Sequence, residues 1–157
     1  LFPRLADALA GRGHGVHRVN FCAGDALIWG RRPAWRYRGA RDGLPAFYGQ
    51  LFEQARITDL VLFGDERPVH RPAIALARRR GIAVHVFEEG YLRPHWFTLE
   101  RDGVNANSRL PRDPDWYRAV AAGLPREQAE LMIPVPPMNK TFNMVSSPHL
   151  LRFHYKT

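Results

Sequence analysis

At 157 residues the chain is long enough to bury a core and short enough to form one compact domain. Its hydrophobic content of 45% excludes a disordered chain, and its formal net charge of +8 favours an anionic partner: nucleic acid, an acidic membrane surface or a phosphorylated substrate. A single cysteine, Cys22, excludes an internal disulfide and a cysteine-only zinc site, while the absence of any run near about 18 apolar residues argues against a transmembrane helix.

No secretory signal pattern is seen. The basic residues are almost all arginines, with Lys140 and Lys156 the only lysines, a usage that GC-rich coding alone can produce. Leu1, Phe2, Leu5, Ala8 and Leu9 recur at helical spacing, and "GRG" at 11–13 ends that helix. A helix that starts with no lead-in suggests a fragment, with a strand expected upstream. "GVHRVNF" (15–21) reads as a short, weak strand, and "CAGDALIWGRRPAWRYRG" (22–39) as an aromatic, basic loop.

Pro45 opens a second helix, whose apolar face is Leu44, Phe47, Tyr48, Leu51, Phe52 and Ala55. "TDLVLFGD" (58–65) is a continuously apolar strand stopped at Gly64. "VHRPAIALARRRG" (69–81) is a third helix, with Ala73, Ile74 and Ala77 inward and Arg78 to Arg80 on a solvated face. "IAVHVFEE" (82–89) is another buried strand. Strands alternating with helices imply right-handed crossovers and a parallel sheet flanked by helices, an α/β fold. Asp102-Gly103, between two extended runs, has the composition of a tight hairpin turn. One more helix follows, with Asp113 or Asp115 near its start. The domain is read as residues 1–125, and 126–157 as a linker or the truncated start of a following region.

In open parallel sheets, ligands bind beyond the carboxyl ends of the strands. Three sets of residues leave those ends: Asn20, Cys22, Gly24 and Asp25; Gly64, Asp65, Glu66, Arg67 and His70; and Glu88, Glu89, Gly90, Tyr91, Arg93 and His95. Each mixes carboxylate with amide, arginine or histidine, so a shared polar rim is expected. In "GDERPVH" a glycine permits a tight turn, and Arg67 offers a planar fork of donors suited to phosphate or carboxylate. A plainer reading has Asp65 capping the helix with Arg67 paired to it, and His70 as a core or solvated histidine. The Walker spacing, the GxGxxG fingerprint and HExxH are all absent, and no metal-ligand spacing stands out, so no metal or cofactor is expected.

"FEEG" places two carboxylates at the end of a strand, where neighbours point to opposite sides. Glu88 and Glu89 therefore take different tasks. One faces the cleft as a candidate general acid or base; the other pairs with an arginine such as Arg93 or caps backbone. The alternative is an ion-pair network that only fixes the loop.

"LADALAGRGHGVHRVNFCAGD" and "FGDERPVHRPAIALARRRGIAVHVFEEGYLRPHWFTLERDGVNANSRLPRDP" together resemble the capsule polysaccharide biosynthesis and export family, and more narrowly the capsular Kdo transferases of Gram-negative bacteria. The likeness covers about residues 1–125, is dense over 60–114 and is poor after 125. It implies a Rossmann-like half of a two-half (GT-B-like) glycosyltransferase that is considerably longer than this chain. The implied activity is transfer of Kdo from CMP-Kdo to a phosphatidylglycerol-type lipid or a growing poly-Kdo linker. The implied place is the cytoplasmic face of the inner membrane, peripherally bound and beside other capsule assembly and export proteins. In transferases of this kind that retain configuration a carboxylate nucleophile is expected; if it lies in the second half, this chain alone is inactive. On this reading Glu88 or Glu89 is the catalytic acid/base, and Asn20, Asp25, Asp65, Arg67, His70, Arg93 and Glu100 bind substrate. The alternative is a non-catalytic export module that binds the lipid-linked capsule or partner enzymes. Nucleic-acid binding rests on charge alone, with no recognition motif to support it.

Overall fold

The computed structural model describes residues 1–90 and 96–123. The fold is α/β. Helix α1 (Phe2–Ala10) leads to β1 (Val19–Asn20), α2 (Ala23–Trp29) and β2 (Trp35–Arg36). A 3₁₀ turn (Arg41–Gly43) then runs into α3 (Leu44–Gln54), followed by β3 (Asp59–Phe63), α4 (His70–Arg79), β4 (Ala83–Glu89) and β5 (Phe97–Arg101). A second 3₁₀ turn (Asn105–Asn107) precedes α5 (Pro114–Ala122).

The strands form two sheets rather than the single parallel sheet expected. β1 and β2 pair in parallel; β3 and β4 pair in parallel, and β5 adds antiparallel to β4. Helices α3 and α4 cover one face of the three-stranded sheet. The even-numbered side chains Leu62, Val84 and Val86 meet Leu44, Tyr48, Leu51, Phe52, Ala73, Ile74 and Ala77 in the buried core. Val19 and Trp35 of the smaller sheet, and Phe21 and Tyr37 just beyond its strands, pack against that same core. On the opposite face Phe2 of α1 sits edge-on to Phe63 and Phe87, at 6.4 and 5.7 Å between ring centroids. Val61 and Leu99 on that face are exposed, so β3 is buried at its carboxyl end and not along its whole length.

Three sequence expectations change. The 22–39 segment is not one loop: Cys22 caps α2, its sulfur accepting the Asp25 amide while the Asp25 carboxylate accepts the Cys22 amide. Two backbone amides at the helix start are thereby satisfied reciprocally, one by the sulfur of a cysteine, a residue outside the usual capping set, and one by the Asp25 carboxylate. The 15–21 strand shrinks to two residues. Asp102-Gly103 does not join two strands. The hairpin lies one connection earlier, between β4 and β5, and is closed by the Gly90 amide donating to the Trp96 carbonyl at 2.7 Å. Asp102 instead takes a left-handed φ of 71° and drops Val104 into the core at 1% exposure.

Helices α3 and α4 match their sequence faces, whereas α1 buries Ala6 and leaves Leu1 and Ala8 of its expected face exposed. Pro45 stands in the first turn of α3, which buries Leu44, Tyr48, Leu51 and Phe52. α4 buries Ala73, Ile74 and Ala77 and leaves Arg78 to Arg80 exposed. Asp113 caps α5 by accepting the Asp115 amide. Among the described residues no helix is long and apolar enough to cross a membrane.

Candidate functional site

The rim forms where β3 and β4 end side by side. The register pairs Phe63 with Phe87, so Gly64 and Glu88 emerge as neighbours, and the Gly64 amide donates to the Phe87 carbonyl at 2.8 Å. Gly64 has φ +73°, a left-handed conformation that turns the chain away from the strand. A Cβ built there would lie 3.4 Å from Arg67 Nε and 3.7 Å from Glu88 Oε2. One point at the strand mouth is therefore within 4 Å of both a guanidinium and a carboxylate. Arg67 and Glu88 are half-buried, a position that keeps them in reach of solvent while strengthening their fields.

Glu88 and Glu89 diverge as strand alternation requires. Glu88 Oε1 accepts the Glu89 amide at 2.9 Å, and its Oε2 accepts the side-chain amide of Asn105 at 3.4 Å. Glu89, 7% exposed, lies on the face of Phe63 and Phe87 and is the register partner of Phe97.

Asp65 does not cap α4. Its carboxylate accepts the Val104 amide at 3.1 Å and the Asn107 side-chain amide at 3.0 Å. Asn107 Nδ2 also donates to Glu66 at 2.9 Å, and that bond, followed by the one from Arg71, holds the Glu66 carboxyl below its ordinary range. Ser108 donates to Glu100, so this candidate braces the same segment. The run "NANS" thus clamps both strand ends: Asn105 reaches β4, Asn107 reaches the β3–α4 turn, and Ser108 reaches β5. Sequence reading placed these residues in an extended run after Asp102-Gly103 and missed them as site residues. Their spacing of polar side chains at 105, 107 and 108 was the available signal.

His70 is a core histidine. It is 3% exposed, and its ring Nδ1 donates to the Gly64 carbonyl at 2.7 Å, which fixes the turn that carries Arg67. Burial pushes its pKa down to about 4, the carbonyl opposes this, and the Arg67 and Arg18 guanidiniums add to it. The ring is therefore neutral at physiological pH.

Asn20 and Asp25 leave β1, in the smaller sheet, and are both buried. Asn20 accepts from Arg18 Nε at 3.1 Å. Asp25 accepts the Phe21 and Cys22 amides at 2.8 and 3.2 Å and lies 3.4 Å from Arg18. These bonds anchor the β1–α2 turn. Arg93, with Tyr91 and His95, lies outside the described residues. Among the described residues no group of three or more histidine, cysteine or acidic side chains is gathered to hold a metal ion. The chemistry on offer is a cation and a carboxylate at one mouth, held by a neutral histidine behind and an asparagine clamp in front.

Residues 58–141 match the family described as "Capsule polysaccharide biosynthesis protein". The chain is 38% identical over 136 residues to the capsule polysaccharide modification protein LipB of Neisseria meningitidis, in both a serogroup A and a serogroup B strain; the match covers 85% of this chain and 32% of LipB. It is 34% identical over 155 residues to the capsule polysaccharide export protein KpsS of Escherichia coli, covering 99% of this chain and 39% of KpsS. The chain thus spans about a third to two fifths of the length of these relatives. No solved structure matches it. The family match takes in β3, the β3–α4 turn, β4, β5 and the asparagine clamp, more than half of the sequence, and on that ground the chain belongs to the capsule polysaccharide biosynthesis protein family.

Proposed function

We propose that this chain forms part of a capsular glycosyltransferase that moves Kdo from CMP-Kdo to a phosphatidylglycerol-type lipid or a poly-Kdo linker, at the cytoplasmic face of the inner membrane. The observation that supports the reading is the convergence of Arg67 and Glu88 at the strand mouth, both within 4 Å of where a Cβ on Gly64 would lie. A nucleotide sugar acid brings a phosphodiester and a carboxylate. Arg67 supplies a planar fork for one of these anions. Glu88, half-buried and oriented by Asn105, is placed to take the proton of an acceptor hydroxyl. Glu89, buried beside the aromatic face, positions the strand end, and His70 and Asp65 hold the turn. The rest of the longer protein would contribute the second Rossmann-like half of a GT-B-like enzyme, with any carboxylate nucleophile. An excess of positive charge suits docking on an anionic leaflet, where no spanning helix is needed.

The test is Kdo transfer by the full-length protein. Glu88→Gln should lower kcat by ~100-fold or more while the fold is retained. The word "export" in the name of the KpsS relative favours a second reading, a non-catalytic module that binds the lipid-linked capsule or partner enzymes. That reading gains if the full-length protein transfers no sugar yet retains lipid-linked polysaccharide irrespective of residue 88.

A further inference from the structure

The strand order puts Glu88 in the middle of the rim, because β4 lies between β3 and β5. On the β3 side stands Arg67, which with Glu88 comes within 4 Å of a Cβ built on Gly64. The β5 side carries different chemistry. Glu88 is the register partner of Thr98, whose hydroxyl donates to the Glu88 carbonyl at 3.5 Å. One step beyond the ladder the same register sets Gly90 opposite Trp96, and the Gly90 amide donates to the Trp96 carbonyl at 2.7 Å.

Paired residues share a face of the sheet, and so do alternate residues of one strand. Trp96 therefore leaves the hairpin on the face of Glu88, Thr98 and Val86. Gly90 gives the same answer independently, since a Cβ built there would lie 2.6 Å from Trp96 Cβ. A glycine is what lets the neck of the hairpin close here, and that closure fixes where the indole starts. Diagonal neighbours such as Glu88 and Trp96 stand about 7–8 Å apart, within reach of an aromatic side chain. Val86 on this face is fully buried, whereas Trp96 is 48% exposed. A single exposed aromatic carries little by itself. This one flanks the candidate acid/base, on the side opposite the guanidinium.

We propose that Trp96 is a further substrate-contacting residue of this site, the platform on which a ring of the acceptor rests. The acceptor then lies on the β5 side of Glu88 and the anionic donor on the Arg67 side. The inference rests on the transferase reading and deepens it. In the net step the acceptor oxygen bonds to the anomeric carbon, CMP leaves with the electron pair of the broken C–O bond, and Glu88 takes the hydroxyl proton. Both substrates must therefore meet at Glu88, each held from its own flank. Arg67 offers a charge-assisted pair to a phosphodiester or carboxylate, and the indole offers an apolar face to the C–H side of a pyranose. A glycerol headgroup has no ring to lay on that face. Trp96 thereby discriminates between the two acceptors, in favour of the one that ends in a sugar ring.

The test is steady-state transfer by the full-length protein from CMP-Kdo to two acceptors, a synthetic Kdo-terminated disaccharide and phosphatidylglycerol in micelles. Trp96→Ala should raise KM for the disaccharide by about tenfold or more, and change kcat and the KM for CMP-Kdo by less than about threefold. Trp96→Phe keeps an aromatic face and should recover most of the loss. Arg67→Ala should show the reverse pattern, with KM raised for CMP-Kdo and not for the disaccharide. A disaccharide KM indifferent to Trp96→Ala, a rise confined to CMP-Kdo, no recovery by phenylalanine, or an equal rise for the micellar lipid would each overturn the proposal. A parent protein that transfers no Kdo counts against the transferase reading, and Trp96 is then scored by intrinsic fluorescence. The disaccharide should quench the parent saturably and leave Trp96→Phe unquenched. Quenching that persists in Trp96→Phe, or a parent that shows none, would overturn the assignment of Trp96.

Discussion

Asp65 ties together two segments 39 residues apart, so its removal gives a sharp test of how the rim is held. Its carboxylate is 8% exposed and accepts two bonds, from the Val104 amide at 3.1 Å and from the Asn107 side chain at 3.0 Å. Hydrogen bonds to a charged group contribute about 1.5–3 kcal/mol each, and a buried amide left unmet costs about 1–3 kcal/mol. Release of the carboxylate's own burial cost offsets part of this. Asp65→Ala should therefore lower stability by about 3 kcal/mol, or roughly 10 °C in Tm for a domain of this size. Asp65→Asn keeps an acceptor for the Val104 amide and should cost about 1 kcal/mol. Urea unfolding at neutral pH, with the midpoint and slope fitted together, reads both values. A cycle with Asn107→Ala should show coupling of about 1 kcal/mol. An Asp65→Ala protein within about 0.5 kcal/mol of the parent, with no coupling to Asn107, would refute the clamp.

Other outcomes follow from the same geometry. His70 stays neutral in the fold down to about pH 4, while in the unfolded chain it protonates near 6.5. Stability is therefore unaffected by this residue above pH 6.5 and falls as pH drops from 6.5 towards 4, by about 3 kcal/mol in all. His70→Asn, which can still donate to the Gly64 carbonyl, should flatten that limb of the stability–pH curve; an unchanged slope would show that other groups govern it. Gly64→Ala forces a side chain into φ +73° and should cost about 1–2 kcal/mol, read by thermal unfolding. Val104→Ala removes two methyl groups from a site 1% exposed and should cost about 2 kcal/mol in the same assay.

Much of the fold was legible because hydrophobic period and turn chemistry agreed. The α4 face of Ala73, Ile74 and Ala77, the Pro45 start of α3 and the apolar strand at β4 needed no tertiary information. The misses share a cause: local composition allowed more than one answer, and distant contacts chose. Asp102-Gly103 has hairpin composition, yet β5 already had β4 as its partner, and the positive φ of Asp102 serves to bury Val104 instead. Helix α2 hid behind an unusual cap, Cys22, and a run crowded with arginine and aromatic residues.

At the site, alternation alone separated Glu88 from Glu89. It did not reveal that Asn105 and Asn107 would reach back to Glu88 and Asp65, since those partners are brought together only by the parallel pairing of β3 with β4. His70 took the plainer of its two readings, because the turn at Gly64 leaves a carbonyl aimed at the first turn of α4.

The most direct test of the donor reading is isothermal titration of the full-length protein with CMP-Kdo, or with CMP where the labile donor decays. The account predicts saturable binding that Arg67→Ala weakens by about tenfold or more, as loss of a charge-assisted pair requires. A folded protein that binds neither ligand, or binds them equally well without the Arg67 guanidinium, would contradict it.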